Sequence, residues 1–215
     1  MKSVLLRRFS TYTLLLGVIF LPFWSTTAVA LTIDGHEIPG VVPATSHHPE
    51  LKLNGAAMRV LYAVVDTYIG KLYVETPTTD EDAIIKADEF KLMVFHVAMK
   101  RISGRRIAKA MYDALQLNLT AEEALALEDR LRLLVDLFDV SLRRGEEGYI
   151  EWVPGTGSRI VINDKEMGII PGKDLSDAIL KIWIGDNPVG NTFKNQILGI
   201  EQYQAPKKLR RRGRR

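Results

Sequence analysis

The run Tyr149–Gly172, YIEWVPGTGSRIVINDKEMGIIPG, restricts the fold more than any other part of the chain. Gly155-Thr156-Gly157-Ser158 has the glycine density of a phosphate loop, but such a loop leads from a strand into a helix N-terminus, where backbone N–H groups converge on the anion. Here it leads into Arg159-Ile160-Val161-Ile162-Asn163, whose β-branched residues suit a strand, and Asn163-Asp164-Lys165 then offers a second turn. The stretch is therefore expected to be a three-strand meander, Tyr149–Val153, Ser158–Asn163 and Glu166–Ile170, with glycines serving the turns.

The rest of the chain surrounds this meander with further strands and a block of helices. Leu31–Glu37 suits a short entry strand and Pro39–Pro49 a loop. Leu51–Leu53 alternates apolar and polar residues before Asn54-Gly55, a favoured hairpin turn. Met58–Tyr62 and Thr67–Val74 are β-rich, and Lys91–Ala98 is mostly apolar, as in a strand buried on both faces. Ser103 can cap a helix that places Ile107, Ala110, Met111, Ala114 and Leu115 on one face. Thr120-Ala121-Glu122-Glu123 has the form of a capping box. The helix it opens is expected to bury Leu131, Leu134, Val135 and Phe138, to place Arg143 and Arg144 at its negative end, and to stop at Gly145. Helices are also expected over Asp174–Trp183, ended by Gly185, and over Thr192–Leu198. Strands, helices, strands and helices in that order give an α+β class, an antiparallel sheet backed by helices.

The N-terminus bears on compartment. Lys2, Arg7 and Arg8 precede an uncharged apolar run, Tyr12–Trp24, and Ala28-Val29-Ala30 follows as a small-residue cleavage signal. Residues 1–30 are thus expected to be a signal peptide, cleaved near Ala30 to leave a periplasmic or secreted protein. Removing it leaves Lys+Arg and Asp+Glu balanced, which gives no reason to expect nucleic-acid binding. The balance is uneven, because seven basic residues lie in Lys207–Arg215, KKLRRRGRR, on an otherwise acidic body. Residues 207–215 are expected to be a disordered basic tail, with an anionic membrane surface as a partner. The chain has no cysteine, which removes thiol catalysis and thiolate-bound metals and leaves an exported protein dependent on its core. One domain, residues 31–206, is expected.

Few residues suggest chemistry. His36, His47, His48 and Glu50 form a loose histidine group, but neighbouring residues on a strand point to opposite faces, so no metal site is expected from that spacing. His96, inside an apolar strand, suits a hydrogen-bonded core histidine. No nucleophile–base signature is present, since Ser103 and Ser158 lack the strand–elbow–helix setting of a hydrolase serine. Arg59, in LNGAAMRVLY, is the most informative position: a permanent cation among small and apolar residues needs a partner, either an internal carboxylate or a bound anion. Tyr62, Thr67, Tyr68 and Tyr73 follow with hydroxyl groups.

LNGAAMR, YIGKLYVE and the long block PGTGSRIVINDKEMGIIPGKDLSDAILKIWIGDNPVGNTFKNQILG together resemble the bacterial branch of the chalcone isomerase-like proteins, over roughly residues 38–199. The resemblance implies an open-faced β-sandwich, a large antiparallel sheet packed against helices, without a cofactor. The family includes isomerases that cyclise chalcones and plastid proteins that bind fatty acids. By the same resemblance Arg59 stands where an arginine holds anionic substrate oxygens, and Thr67 where a threonine positions substrate, with Tyr68 beside it. The isomerases carry a tyrosine and an asparagine on the first central helix; this chain has Ile107 and Ala114 there. Ile107 cannot donate a hydrogen bond. The implied function is a non-catalytic protein that binds a lipophilic anion, such as a fatty acid, in a cleft between sheet and helices. The alternatives are an intramolecular lyase of chalcone-like substrates and an envelope-associated interaction protein.

Overall fold

The computed structural model describes residues 31–62, 65–138 and 140–205. In chain order, strands β1 (Leu31–Ile33), β2 (His36–Ile38), β3 (Val41–Val42), β4 (Leu51–Leu61) and β5 (Val65–Val74) lead to helix α1 (Glu81–Lys86). Strands β6 (Lys91–Val97) and β7 (Arg101–Ser103) precede helices α2 (Gly104–Gln116) and α3 (Ala121–Leu137). Strands β8 (Ser141–Arg143), β9 (Glu147–Val153), β10 (Gly157–Ile162) and β11 (Lys165–Ile170) follow, and α4 (Lys173–Ile184) and α5 (Asn191–Ile197) close the fold.

Seven strands form one antiparallel sheet in the order β11-β10-β9-β6-β5-β4-β3. Its two faces are covered differently, as the period-2 alternation of a strand requires. Ala57, Leu72, Met93, Ile150 and Ile160 meet the helices, including Leu115, Leu131, Leu175 and Ile179. Ala56, Met58 and Ile69 meet Ile33 and Ile38 from the β1–β2 hairpin. The α+β class and the sheet-and-helix layering are as expected.

The meander is present as β9, β10 and β11. The Thr156 N–H donates to the Val153 carbonyl at 3.0 Å, and Gly157, with φ of 142°, lies where a Cβ would come within 2.4 Å of the Ile170 carbonyl oxygen. Asn163 and Asp164, at φ of 51° and 61°, make the second turn. Residues 154–156 are therefore the turn, and Gly157 and Ser158 already pair in β10, so the glycines lead into a strand and into no helix.

Four expectations need correction. Asn54-Gly55 is not a hairpin turn: β4 runs straight through it, with a register shift between Leu53 and Gly55. Gly55 is small because a Cβ would lie 2.1 Å from the Gln196 carbonyl oxygen of α5. Asn54 binds the same helix end, donating to the Ile197 carbonyl at 3.0 Å while accepting from Thr78 N–H at 2.8 Å. The helix begun at Thr120 stops at Leu137, well short of Gly145. Pairing of β8 with β7, Ile102 opposite Leu142, takes the following residues into a strand, and Gly145 (φ 86°) serves the turn after it. Leu31–Glu37 is not one strand, since it turns at Asp34-Gly35 into the β1–β2 hairpin. Ala110 faces solvent; α2 buries Gly104, Ala108, Met111 and Leu115 instead, with Ile107 and Ala114 packed beside them. Helix α1, N-capped by Asp80 through Ala83 N–H at 3.1 Å, was not anticipated.

Candidate ligand-binding site

Arg59 on β4 and Tyr68 on β5 are paired directly across the sheet. Their strands shift register immediately after Arg59, which loosens the ladder at that point. The half-buried guanidinium donates through Nη1 to the Val60 carbonyl at 2.7 Å. It lies beside Gly190, at the start of α5, where a Cβ would sit 3.8 Å from Nη1. Among the described residues no carboxylate pairs with it. The internal-carboxylate reading of Arg59 is thus without a candidate there, and most of the guanidinium's five N–H donors remain available.

Tyr68 is held by aromatic side chains from three elements. Its ring meets Phe95 of β6 and Phe193 of α5 edge-on, at 5.6 and 5.9 Å between centroids, and Phe95 lies 5.2 Å from Trp183 of α4. Trp183 Nε1 donates to the Tyr68 hydroxyl oxygen at 3.0 Å. Burial pushes the phenol up to about 12, against the opposing pull of the Trp183 bond and the Arg59 charge. It therefore stays protonated at neutral pH, and its O–H finds no acceptor among the described residues. Tyr68 is a hydrogen-bond donor beside a cation, a combination suited to an oxyanion.

Thr67 has a different position. It is buried, its hydroxyl donates to the Arg59 carbonyl at 2.6 Å, and its own carbonyl accepts from Ala98 and Met99 N–H. Its proton is engaged in fixing the irregular β4–β5 pairing, so Thr67 orients Arg59 through the backbone. Tyr62 is exposed, and the Tyr73 hydroxyl donates to the Pro39 carbonyl at 3.0 Å. Neither joins the Arg59–Tyr68 pair.

On α2, Ile107 and Ala114 pack against the core and contribute no polar group. Lys109 is paired with Asp113 on the surface at 2.8 Å, and Tyr112 is exposed at the edge of the α2–α3 contact. Gly104, which starts α2, is a packing residue, because a Cβ would stand 1.5 Å from the Phe138 carbonyl oxygen.

The expected cleft is filled in this structure. Tyr68, Phe95, Trp183 and Phe193 occupy the space under α4 and α5. The apolar crevice between α2 and α3, lined by Met111, Leu115, Leu131, Leu134 and Phe138 among others, has no room for a water molecule. A cavity of about 10 Å³ lies beside Lys91, Trp152 and Ser176, large enough for about one water.

Trp183 and Phe193 were not anticipated as part of the site. Their signal was the block around Gly185-Asp186-Asn187-Pro188, whose role is now visible. Asn187 N–H donates to Asn118 Oδ1 at 3.0 Å, Asn118 Nδ2 donates to the Asn187 carbonyl at 2.9 Å, and Asn187 Nδ2 donates to the Leu117 carbonyl at 2.9 Å. Lys194 Nζ donates to the Gly185 carbonyl at 3.0 Å. The block ties the end of α2 to the α4–α5 loop and so sets the helices over the aromatic cluster.

Comparison with known proteins agrees with this architecture. A solved fatty-acid binding protein of Arabidopsis thaliana superposes with a TM-score of 0.64 at 15% sequence identity, covering 79% of this chain and 95% of that one. At that identity the likeness establishes the fold. A search of curated protein sequences gives no match. The family model described as chalcone isomerase-like matches residues 30–199, so this chain belongs to the chalcone isomerase-like family.

Proposed function

We propose that this protein is an exported, non-catalytic binder of a small lipophilic anion, with a fatty acid as the leading candidate. The observation that carries the reading is Arg59: a half-buried cation without a carboxylate partner among the described residues, paired across the sheet with a phenol whose proton has no acceptor among them. Both groups suit one oxyanion, and the aromatic and aliphatic core adjoining Tyr68 suits an apolar chain. The name of the Arabidopsis structure points the same way for that protein. Because Phe95, Trp183 and Phe193 fill the space beside Tyr68, a tail enters only as those side chains move, with Thr67 holding the Arg59 backbone.

The lyase reading has less to support it. Ile107 and Ala114 are apolar and packed, so α2 supplies no donor for a ketone or an ordered water. Export rests on the sequence of residues 1–30 alone, which lies outside the described residues. The basic tail, residues 207–215, also lies outside them, and its proposed role is to hold an acidic body near anionic lipid.

The test is native mass spectrometry of the exported chain beside Arg59→Ala, with extraction of any released acid. Wild type should hold an acid, or take up added palmitate, and the variant should lose it with an unchanged circular dichroism spectrum. Equal retention by the two proteins, or no uptake by wild type, would defeat the proposal. Chalcone added to wild type should cyclise at the buffer rate; a faster rate would restore the lyase reading.

A further inference from the structure

At one end of the sheet the β4–β5 hairpin carries apolar residues where a turn usually carries glycine or short polar ones. Leu61 and Val65 stand opposite each other at the end of the ladder, and both are exposed. Tyr62, next in the chain, takes φ of 52° and is 90% exposed. A bulky residue at positive φ is uncommon, and packing does not hold this one there. By strand alternation Leu61 shares the face of Arg59, two residues before it.

Backbone bonds set a basic group beside this tip. The Thr67 carbonyl, two residues past Val65, accepts from Ala98 and Met99 N–H at 2.9 and 3.2 Å, and the Lys100 carbonyl accepts from Arg144 N–H at 3.4 Å. In the β7–β8 ribbon that follows, Ile102 and Leu142 turn one face to the core, while the other sets Arg101 directly opposite Arg143. Like charges so placed work against pairing. Lys100, Arg101, Arg143 and Arg144 are all exposed, and none has a carboxylate partner among the described residues; the Arg101 guanidinium donates only to Ser141 Oγ, at 3.3 Å. The neighbouring acids are engaged or face elsewhere. Glu146 accepts from Arg143 N–H at 2.7 Å, and Glu147 accepts from Lys71 and lies 3.0 Å from His96, whose ring meets His36 of the β1–β2 hairpin. Asp66 pairs with Val60, on the sheet face turned away from the helices.

We propose that this end of the molecule, the apolar tip with the four cations beside it, docks on an anionic lipid bilayer. Lysine and arginine are drawn to the phosphates of anionic lipids, and a tyrosine among aliphatic residues suits the headgroup boundary, where one end of its ring system is wet and the other apolar. The cations stand on a body that is acidic elsewhere, so the field of the molecule turns this end toward a negative surface. A bilayer answers both halves of the patch, with charge at its surface and hydrocarbon beneath; a nucleic acid or free phosphate answers only the first. The surface belongs to the folded domain and is separate from residues 207–215. On the fatty-acid reading proposed above, docking brings Arg59 to the place from which the acid is drawn; the docking itself rests on the tip and the cations.

Co-sedimentation of the full exported chain with vesicles of phosphatidylglycerol and phosphatidylcholine in equal parts, free of fatty acid, tests the surface. Wild type should bind at low salt and be released as salt rises. Arg143→Gln/Arg144→Gln should weaken partitioning by roughly tenfold or more, and Tyr62→Ser by several-fold, each with an unchanged circular dichroism spectrum. Lys52→Gln/Lys86→Gln removes the same charge from exposed positions on the opposite end of β4 and on α1, and should bind like wild type. Three results would each overturn the proposal: no vesicle binding, full binding by the surface variants, which would leave the tail as the contact, or equal loss in the lysine variant, which would leave net charge alone. Binding of polyglutamate, or self-association, lost in the same variants while vesicles are ignored would reassign the surface and overturn it too. The assay holds no fatty acid, so failure here leaves the Arg59 reading standing.

Discussion

Lys91 offers the sharpest test of how this core is balanced. It begins β6 with 3% of its surface exposed, and its ammonium donates to the Ala87 carbonyl. Burial first, and the Lys173 charge second, lower it from 10.5 to about 8, although Asp177, Asp88 and Glu89 pull the other way. Between about pH 8 and 10.5 the unfolded chain keeps a proton that the native chain has released, so stability rises with pH across that window. Below it the native protein bears the whole cost of a buried cation. At ~1.4 kcal/mol per pH unit this amounts to about 3 kcal/mol. Lys91→Met removes the charge at similar length and gives up one hydrogen bond, which costs about 1 kcal/mol. The variant should be about 2 kcal/mol more stable at pH 7, melting roughly 4–8 °C higher for a chain of this size. By pH 9.5 most of that advantage should be gone. Scanning calorimetry from pH 7 to 9.5 reads both effects. The range stops there because Tyr68 and Tyr73, raised to about 12, remain protonated when folded while unfolded phenols ionise, which lowers stability as pH rises further. A variant that melts below wild type at pH 7, or a constant gap across the range, would refute the reasoning.

Two further substitutions separate ligand binding from packing. Tyr68→Phe should weaken retention of a bound acid several-fold by removing a donor. It should also cost ~1–3 kcal/mol in thermal stability, because the Trp183 N–H loses its acceptor; a variant that binds and melts like wild type would show that the hydroxyl does neither. Gly104→Ala would press a methyl group against backbone oxygens of Phe138 and Val140, at 1.5 and 2.2 Å. It should lower stability by about 3 kcal/mol or more, and a urea midpoint within error of wild type would contradict the close packing of α2 on that loop.

What could be read from the sequence was mostly local. The capping box at Thr120 and Glu123 forms as expected, with the Thr120 hydroxyl accepting from Glu123 N–H at 3.2 Å and the Glu123 carboxylate accepting from Thr120 N–H at 2.7 Å. The meander was legible because Asn163-Asp164 and the glycines at 155 and 157 leave few other conformations. Asn54-Gly55 misled because a glycine needed for close approach by another element looks like one needed for a turn. The end of α3 misled for a related reason: Arg143 and Arg144 suit a helix terminus, but pairing with a distant strand claims that segment first. At the site, Arg59 was recognisable as a cation in apolar company. The partnership of Tyr68 with Trp183, 115 residues away, and of His36 with His96 depends on tertiary placement that no local pattern encodes.

The Asn118–Asn187 clasp and the glycine at position 104 together divide the helical layer into parts with different mechanical roles. One end of α2 is bonded to the α4–α5 loop and the other is seated on the backbone at Phe138 and Val140, so α2 behaves as a strut. Helix α3 packs along that strut through Leu127, Leu131 and Leu134, meets β11 through Leu137 beside Gly168, and is tied to α4 on its outer side by Arg130 to Asp174 at 2.6 Å and by Lys181 to Glu123 at 3.7 Å. Parting α2 from α3 would uncover Leu127, Leu131 and Leu134, all buried, so the crevice between them is held shut by packing. The two ion pairs on the outer side face solvent, so dissolved salt weakens them while leaving the apolar packing of α3 in place.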